Sequence, residues 1–196
     1  MTDGAPSDAR TQVAAAASAE QLAQWAAHSD AEVRAAVAAH PAVPPRVIES
    51  LACDEDWRVR AAAAANPATE GFWLGELTRD DDVRVRVAVA ATPGLSPKDL
   101  KRVSEDDDPR VRAAAAANHA ASEGLLDVMS LDGDWRVRAG VGANPMAPMV
   151  LLRTLATDED WRVRAEVAAN PAAPNEVLEA LALDGDAGVR EAALRP

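Results

Sequence analysis

The chain has 196 residues, 48% of them hydrophobic but only 3% aromatic, so its core has to be built from Ala, Val and Leu. A formal net charge of −12 argues against non-specific attachment to nucleic acid or to an anionic membrane, both of which need basic surface. One cysteine, Cys53, excludes an internal disulfide and cannot by itself hold a metal cluster.

Residues 1–17 open with MTDGAPSDAR, which lacks the apolar core of a secretory signal. They read as a frayed terminus followed by a degenerate, Ala-rich capping helix. No later run reaches the roughly 18–20 apolar residues of a membrane span, and a soluble cytoplasmic protein is expected. From Ser18 the pattern changes. Ser18 and Gln21 have the spacing of a capping box, and Leu22 and Trp25 stand 26 residues before Ile48 and Leu51.

The next feature organises everything that follows. AspXXValArg recurs with its Val-Arg at 33–34, 59–60, 85–86, 111–112, 137–138, 163–164 and 189–190, each copy 26 residues after the last. An unbroken period of this size identifies residues 18–196 as one α-solenoid of seven units, each stacked on its neighbours. Every unit reads as two short helices. The first is N-capped by an aspartate such as Asp30 and stops before His40-Pro41, Asn66-Pro67, Thr92-Pro93, Asn144-Pro145 or Asn170-Pro171, with Asn118-His119 as the exception. The second, after Pro44-Pro45 and its equivalents, carries Ile48/Leu51, Leu74/Leu77, Leu100/Val103, Leu126/Met129, Leu152/Leu155 and Leu178/Leu181 on one face. Its length leaves α and 3₁₀ geometry open.

The first helix is small on nearly every side. The Ala39 column is alanine until the last copy, and the Ala38 column is Ala or Gly in the first six. In the last copy the Ala35 and Ala39 columns become Glu191 and Arg195, from which these two columns are expected to face the following unit.

Read as a consensus, DxDxxVRxAxAANPAxPxxxLxxLA, the unit resembles the leucine-rich repeat variant family, most closely over Asp160 to Leu181. The resemblance runs from about Ser18 to the C-terminus, and its AspXXValArg portion is shared with short HEAT-like repeats. It implies an all-α, right-handed superhelix in which α and 3₁₀ helices alternate. The repeat of the family is usually shorter than 26 residues, which leaves room here for a fully α second helix. Some members carry an N-terminal cysteine cluster that binds iron and sulfur. With Cys53 alone, that role is not carried over and no cofactor is expected.

Two arginine columns invite a functional reading. The Val-Arg arginine follows an aspartate by four residues, so an intrahelical pair or an inter-repeat ladder absorbs it. The column just before the valine, Arg58, Arg84, Arg110, Arg136 and Arg162, has no fixed acidic partner by spacing and reads as the more available one. In three copies it follows a tryptophan: Trp57-Arg58, Trp135-Arg136 and Trp161-Arg162. Trp and Arg are the residues most enriched in binding hot spots, and these six residues are the candidate partner-binding site. The bland alternative is an indole that covers the joint between units with arginine stacked on it. Val83, Pro109, Ala31 and Ala187 fill the tryptophan column elsewhere, so packing there does not demand an aromatic.

The aspartate pairs, Asp54/Asp56 through Asp184/Asp186, lack a complete calcium loop, and the second of each pair is a helix cap, so no metal is expected. His28, His40 and His119 are scattered, His40 replacing a capping asparagine. Cys53 reads as a small buried hydrophobe, and Phe72-Trp73 as core. No catalytic constellation emerges. The leading expectation is a non-enzymatic scaffold or adaptor that binds another protein. The alternatives are nucleic-acid or nucleotide binding through the Arg/Trp column, and an accessory or regulatory subunit of a separate enzyme.

Overall fold

The computed structural model describes Val13 and residues 18–195. Of the expected capping segment 1–17, Val13 is helical and buried, and the rest lies outside the described residues. Fourteen helices and no strand occur among the described residues. They are α1 (Ala19–Trp25), α2 (Ala31–Ala38), α3 (Pro45–Leu51), α4 (Trp57–Ala65), α5 (Gly71–Leu77), α6 (Val83–Ala90) and α7 (Pro97–Ser104). The chain continues with α8 (Pro109–Ala117), α9 (Glu123–Met129), α10 (Trp135–Ala143), α11 (Met149–Leu155), α12 (Trp161–Ala169), α13 (Asn175–Leu181) and α14 (Ala187–Ala193). The second helices are α throughout.

Contacts divide the chain into two units, Met1–Ser96 and Pro97–Pro196. In the first, α2, α4 and α6 stack in order, and α3 and α5 each pack on the two first helices beside them. The second repeats the arrangement with α8, α10, α12 and α14 stacked and with α9, α11 and α13 packed between neighbours. Each unit is thus a run of α-solenoid.

Local chemistry sets each boundary. Ser18 and Gln21 form the expected reciprocal capping box of α1. Every stacked helix from α2 onward begins at an aspartate that accepts the backbone N–H two residues on, as in Asp56 to Arg58 at 2.8 Å. The helices that end at asparagine have an extended Asn C-cap, with ψ 127° at Asn66, where the following proline disfavours the helical region, and the same ψ at Asn118, where histidine follows. His40 substitutes for that asparagine: its Nδ1 accepts the Ala42 N–H at 3.1 Å, as Asn66 Oδ1 accepts that of Ala68 at 2.8 Å.

The valine of AspXXValArg is the centre of each repeat, fully buried in all seven copies, and the Ile48 and Leu51 columns close over it. The stacking faces differ from expectation. The Ala39 column is exposed in all but Ala143, which is half-buried, and the Ala35 column is mostly half-buried. The Ala38 column is the buried one, from Ala38 through Ala168. A Cβ added at Gly142, in that column, would lie 3.1 Å from Val167 Cγ2 of the next repeat. One added at Gly140 would lie 2.6 Å from the Ala113 carbonyl of the preceding repeat. The Ala36 column therefore faces backward and the Ala38 column forward, and the Ala39 column sits at the helix end beside solvent. Arg195 thus occupies a position that is rim rather than interface, whereas the Ala35 column, that of Glu191, borders the following repeat where the Ala113 carbonyl faces Gly140.

Two more expectations are corrected. Cys53 is exposed, because it follows the last turn of α3 in a column that also leaves Leu131 and Leu183 in solvent. Phe72 is 67% exposed at the head of α5, while Trp73 beside it is half-buried.

Candidate interaction edge

Capping by aspartate fixes what the first turn of each stacked helix presents. With Val59 driven into the core, Trp57 and Arg58 emerge at the helix head, and the same geometry repeats at Trp135-Arg136 and Trp161-Arg162.

The arginine column at these heads is paired, contrary to the reading from spacing. Arg58 reaches Asp56 at 3.0 Å, Arg84 reaches Asp82 at 2.6 Å and Arg110 reaches Asp108 at 2.8 Å. Arg136 and Arg162 lie 3.3 and 3.2 Å from Asp134 and Asp160. The partner is the helix cap two residues earlier, whose second oxygen is left over after capping. The Arg84 guanidinium holds the Asp82 carboxyl down at about 2. These side chains nonetheless remain about half exposed, and each presents a face rather than a free charge.

The indoles join neighbouring repeats. Trp57 has its own Arg58 at 5.1 Å and the next repeat's Arg84 at 3.5 Å from its ring. Trp135 has Arg136 at 4.8 Å and the next repeat's Arg162 at 4.5 Å. Cation–π attraction of this kind contributes about 0.5–2 kcal/mol per contact. Trp161 departs from the pattern. Arg162 lies 5.2 Å from its ring, but the next repeat has Gly188 in place of arginine, and Trp161 is 43% exposed.

The other arginine column lies inward and forms an inter-repeat ladder. Arg138 donates from Nε to Asp158 Oδ2 at 2.7 Å and from Nη2 to Oδ1 at 2.9 Å, while Nη1 donates to the Asp132 carbonyl at 2.9 Å. Arg34–Asp54, Arg60–Asp80, Arg112–Asp132 and Arg164–Asp184 repeat the bidentate geometry. The acceptor is thus the aspartate 20 residues later, not the one four residues earlier in the same helix. The same aspartate accepts the N–H of the next cap, as Asp158 does from Asp160 at 2.9 Å. The guanidinium holds Asp132 and Asp184 below the usual carboxylate range against the opposing cost of burial. For Asp54 and Asp158 burial is the largest single influence and pushes upward, but guanidinium and amide together still bring them below it.

An asparagine ladder, unforeseen from sequence, lies at the far end of the same helices. Asn66 donates to the Ala38 and His40 carbonyls of the preceding repeat at 2.6 and 3.1 Å. Asn144 does so to Ala116 and Asn118, and Asn170 to Gly142 and Asn144. The recurrence of Asn-Pro was its signal, read only as a helix stop.

The fold and its edge define an α-helical tandem-repeat protein made of 26-residue, two-helix units. The sequence pattern of the family described as "Leucine rich repeat variant" matches residues 57–82 and 161–186. A solved structure described as "a leucine-rich repeat variant with a novel repetitive protein structural motif" aligns at 28% identity and a TM-score of 0.59, covering 96% of this chain and 80% of that one. Both matches agree, and the chain is similar to the leucine-rich repeat variants in sequence pattern and in fold. An engineered protein also aligns, at 19% identity and a TM-score of 0.41 over 96% of this chain and 69% of its own, too distant to add to this. Comparison with curated proteins finds no match. No helix among the described residues is long and apolar enough to cross a membrane.

Proposed function

We propose that the protein is a non-enzymatic interaction scaffold that engages another protein through the helix heads of its repeats, Trp57 and Arg58 in the first unit and Trp135, Arg136, Trp161 and Arg162 in the second. The observation that carries this reading is the recurrence of partly exposed, paired indole and guanidinium faces at corresponding positions of three repeats, two of them adjacent in the second unit. Stacked repeats turn such a motif into an extended surface, and large amphipathic groups held by caps and ion pairs lose little freedom on binding. The neutralising aspartates remove the net positive charge that nucleic-acid binding along this column requires.

Affinity capture with the wild type and with Trp135→Ala/Trp161→Ala tests the proposal. Partners held by wild type should be lost from the double variant while its helicity is retained. Equal recovery of every partner would remove the edge from the account.

A further inference from the structure

Within the second unit, one repeat junction has the receptor for an arginine but not the arginine. At Trp135, the next repeat supplies Arg162, whose guanidinium stacks 4.5 Å from the ring while pairing with its own cap Asp160 at 3.2 Å. In the first unit Arg84 does the same between Trp57, at 3.5 Å, and Asp82, at 2.6 Å. The equivalent pair one repeat later is Trp161 and Asp186, and there the column holds Gly188.

Both halves of the receptor keep their geometry. Asp186 Oδ1 caps α14, accepting the Gly188 N–H at 2.8 Å and the Val189 N–H at 3.4 Å. No guanidinium pairs with its carboxylate among the described residues. A Cβ built on Gly188 would stand 3.2 Å from Asp186 Oδ1 and 3.5 Å from Trp161 Cζ3, so the space beside this glycine is bounded by the carboxylate on one side and the indole on the other. Trp161 is exposed, whereas Trp57 and Trp135 are half-buried.

We propose that Trp161 and Asp186 form a docking site for an arginine side chain presented by another polypeptide. The inference rests on the edge reading above and names the chemistry of its partner. The guanidinium stacks on the indole face left uncovered by Gly188 and pairs with the Asp186 carboxylate, repeating between two chains what Arg84 and Arg162 do within one. A chain of net charge −12 favours the approach of such a basic segment over long range. Guanidinium suits the site better than ammonium because its plane stacks and its edge still donates to the carboxylate.

The test is titration of the full chain with an N-acetylated, C-amidated tri-arginine peptide, followed through the Trp161 indole N–H resonance, which Trp161→Phe identifies. The neutral tri-citrulline peptide is the control. The arginine peptide should shift that resonance to saturation and the citrulline peptide should not. Asp186→Asn, which keeps the cap, should weaken binding several-fold, and Gly188→Arg by roughly tenfold or more. Gly188→Arg restores the residue found in five other repeats, so it should fold and supply the guanidinium itself. Equal response to citrulline, or undiminished affinity in Gly188→Arg, would overturn the inference by reducing it to diffuse attraction. Should the arginine peptide leave Trp161 unmoved while Trp135→Ala/Trp161→Ala still loses its partners, the arginine site falls and the edge stands. If the peptide binds at Trp161 but the double variant keeps every partner, the edge reading falls instead.

Discussion

Arg136 and Arg138 stand two residues apart on one helix, yet they occupy different physical regimes. Arg138 is 12% exposed in its side chain and forks onto Asp158, itself 8% exposed, while a third nitrogen donates to the Asp132 carbonyl. Arg136 is 47% exposed, pairs loosely with its own cap at 3.3 Å and lays a face on Trp135. Solvent screens the second pair and leaves it worth little, whereas breaking the first strands a charge away from water. Helix geometry thus divides one arginine-rich sequence into an inner column that holds repeats together and an outer column that stays about half exposed at the helix heads.

The comparison can be broken most severely at the stacking face. Ala64→Glu puts a carboxylate into the fully buried forward face of α4, and a loss of at least about 4 kcal/mol in denaturant melts is expected. The adjacent Ala65→Glu, at an exposed site, should change stability by no more than about 0.5 kcal/mol. Comparable losses would mean that the forward face is misassigned. Asn144→Ala removes two buried donors and leaves the Ala116 and Asn118 carbonyls without them, for an expected cost of about 2–3 kcal/mol in the same measurement. Gly140→Ala should cost about 1–2 kcal/mol, since the new Cβ meets the Ala113 carbonyl and alanine's better helix propensity offsets only part of that strain.

The smallest effect per residue is the pH dependence of the inner ladder. Asp54, Asp132, Asp158 and Asp184 have lowered proton affinity in the folded protein, so on acidification the unfolded chain takes up protons first. Their stabilisation is fully present above the ordinary aspartate value of about 3.9 and is lost as pH falls below it toward the folded values. Urea midpoints should be flat from about pH 5 to 7 and decline below about pH 4. Asp158→Asn should shallow that decline, and an unchanged slope would remove Asp158 from the linkage.

Much of the fold was legible because its determinants are periodic and local. Val-Arg gave the register, aspartate the caps and Ile48/Leu51 the second-helix face. The Ala39 column departs from expectation because Arg195 can mark a rim as readily as an interface, and sequence does not separate two neighbouring alanine columns on one short helix. Pairing of Arg58 with Asp56 was hidden for a different reason. Residues two apart do not face each other within a helix, but Asp56 is the extended cap outside it, and its free oxygen turns back toward the first turn. Of the candidate edge, the Trp-Arg dipeptides were visible as residues. The sandwiching of Trp57 and Trp135 by the next repeat, and the exception at Gly188, required the distance between stacked helices.

Equilibrium urea unfolding of Arg136→Ala and Arg138→Ala, measured side by side, tests the division between the two columns most directly. Arg138→Ala should lose about 3–5 kcal/mol because Asp158 is left buried without its partner. Arg136→Ala should lose under about 1 kcal/mol. Equal losses would contradict the division, and with it the assignment of the outer column to contact rather than to construction.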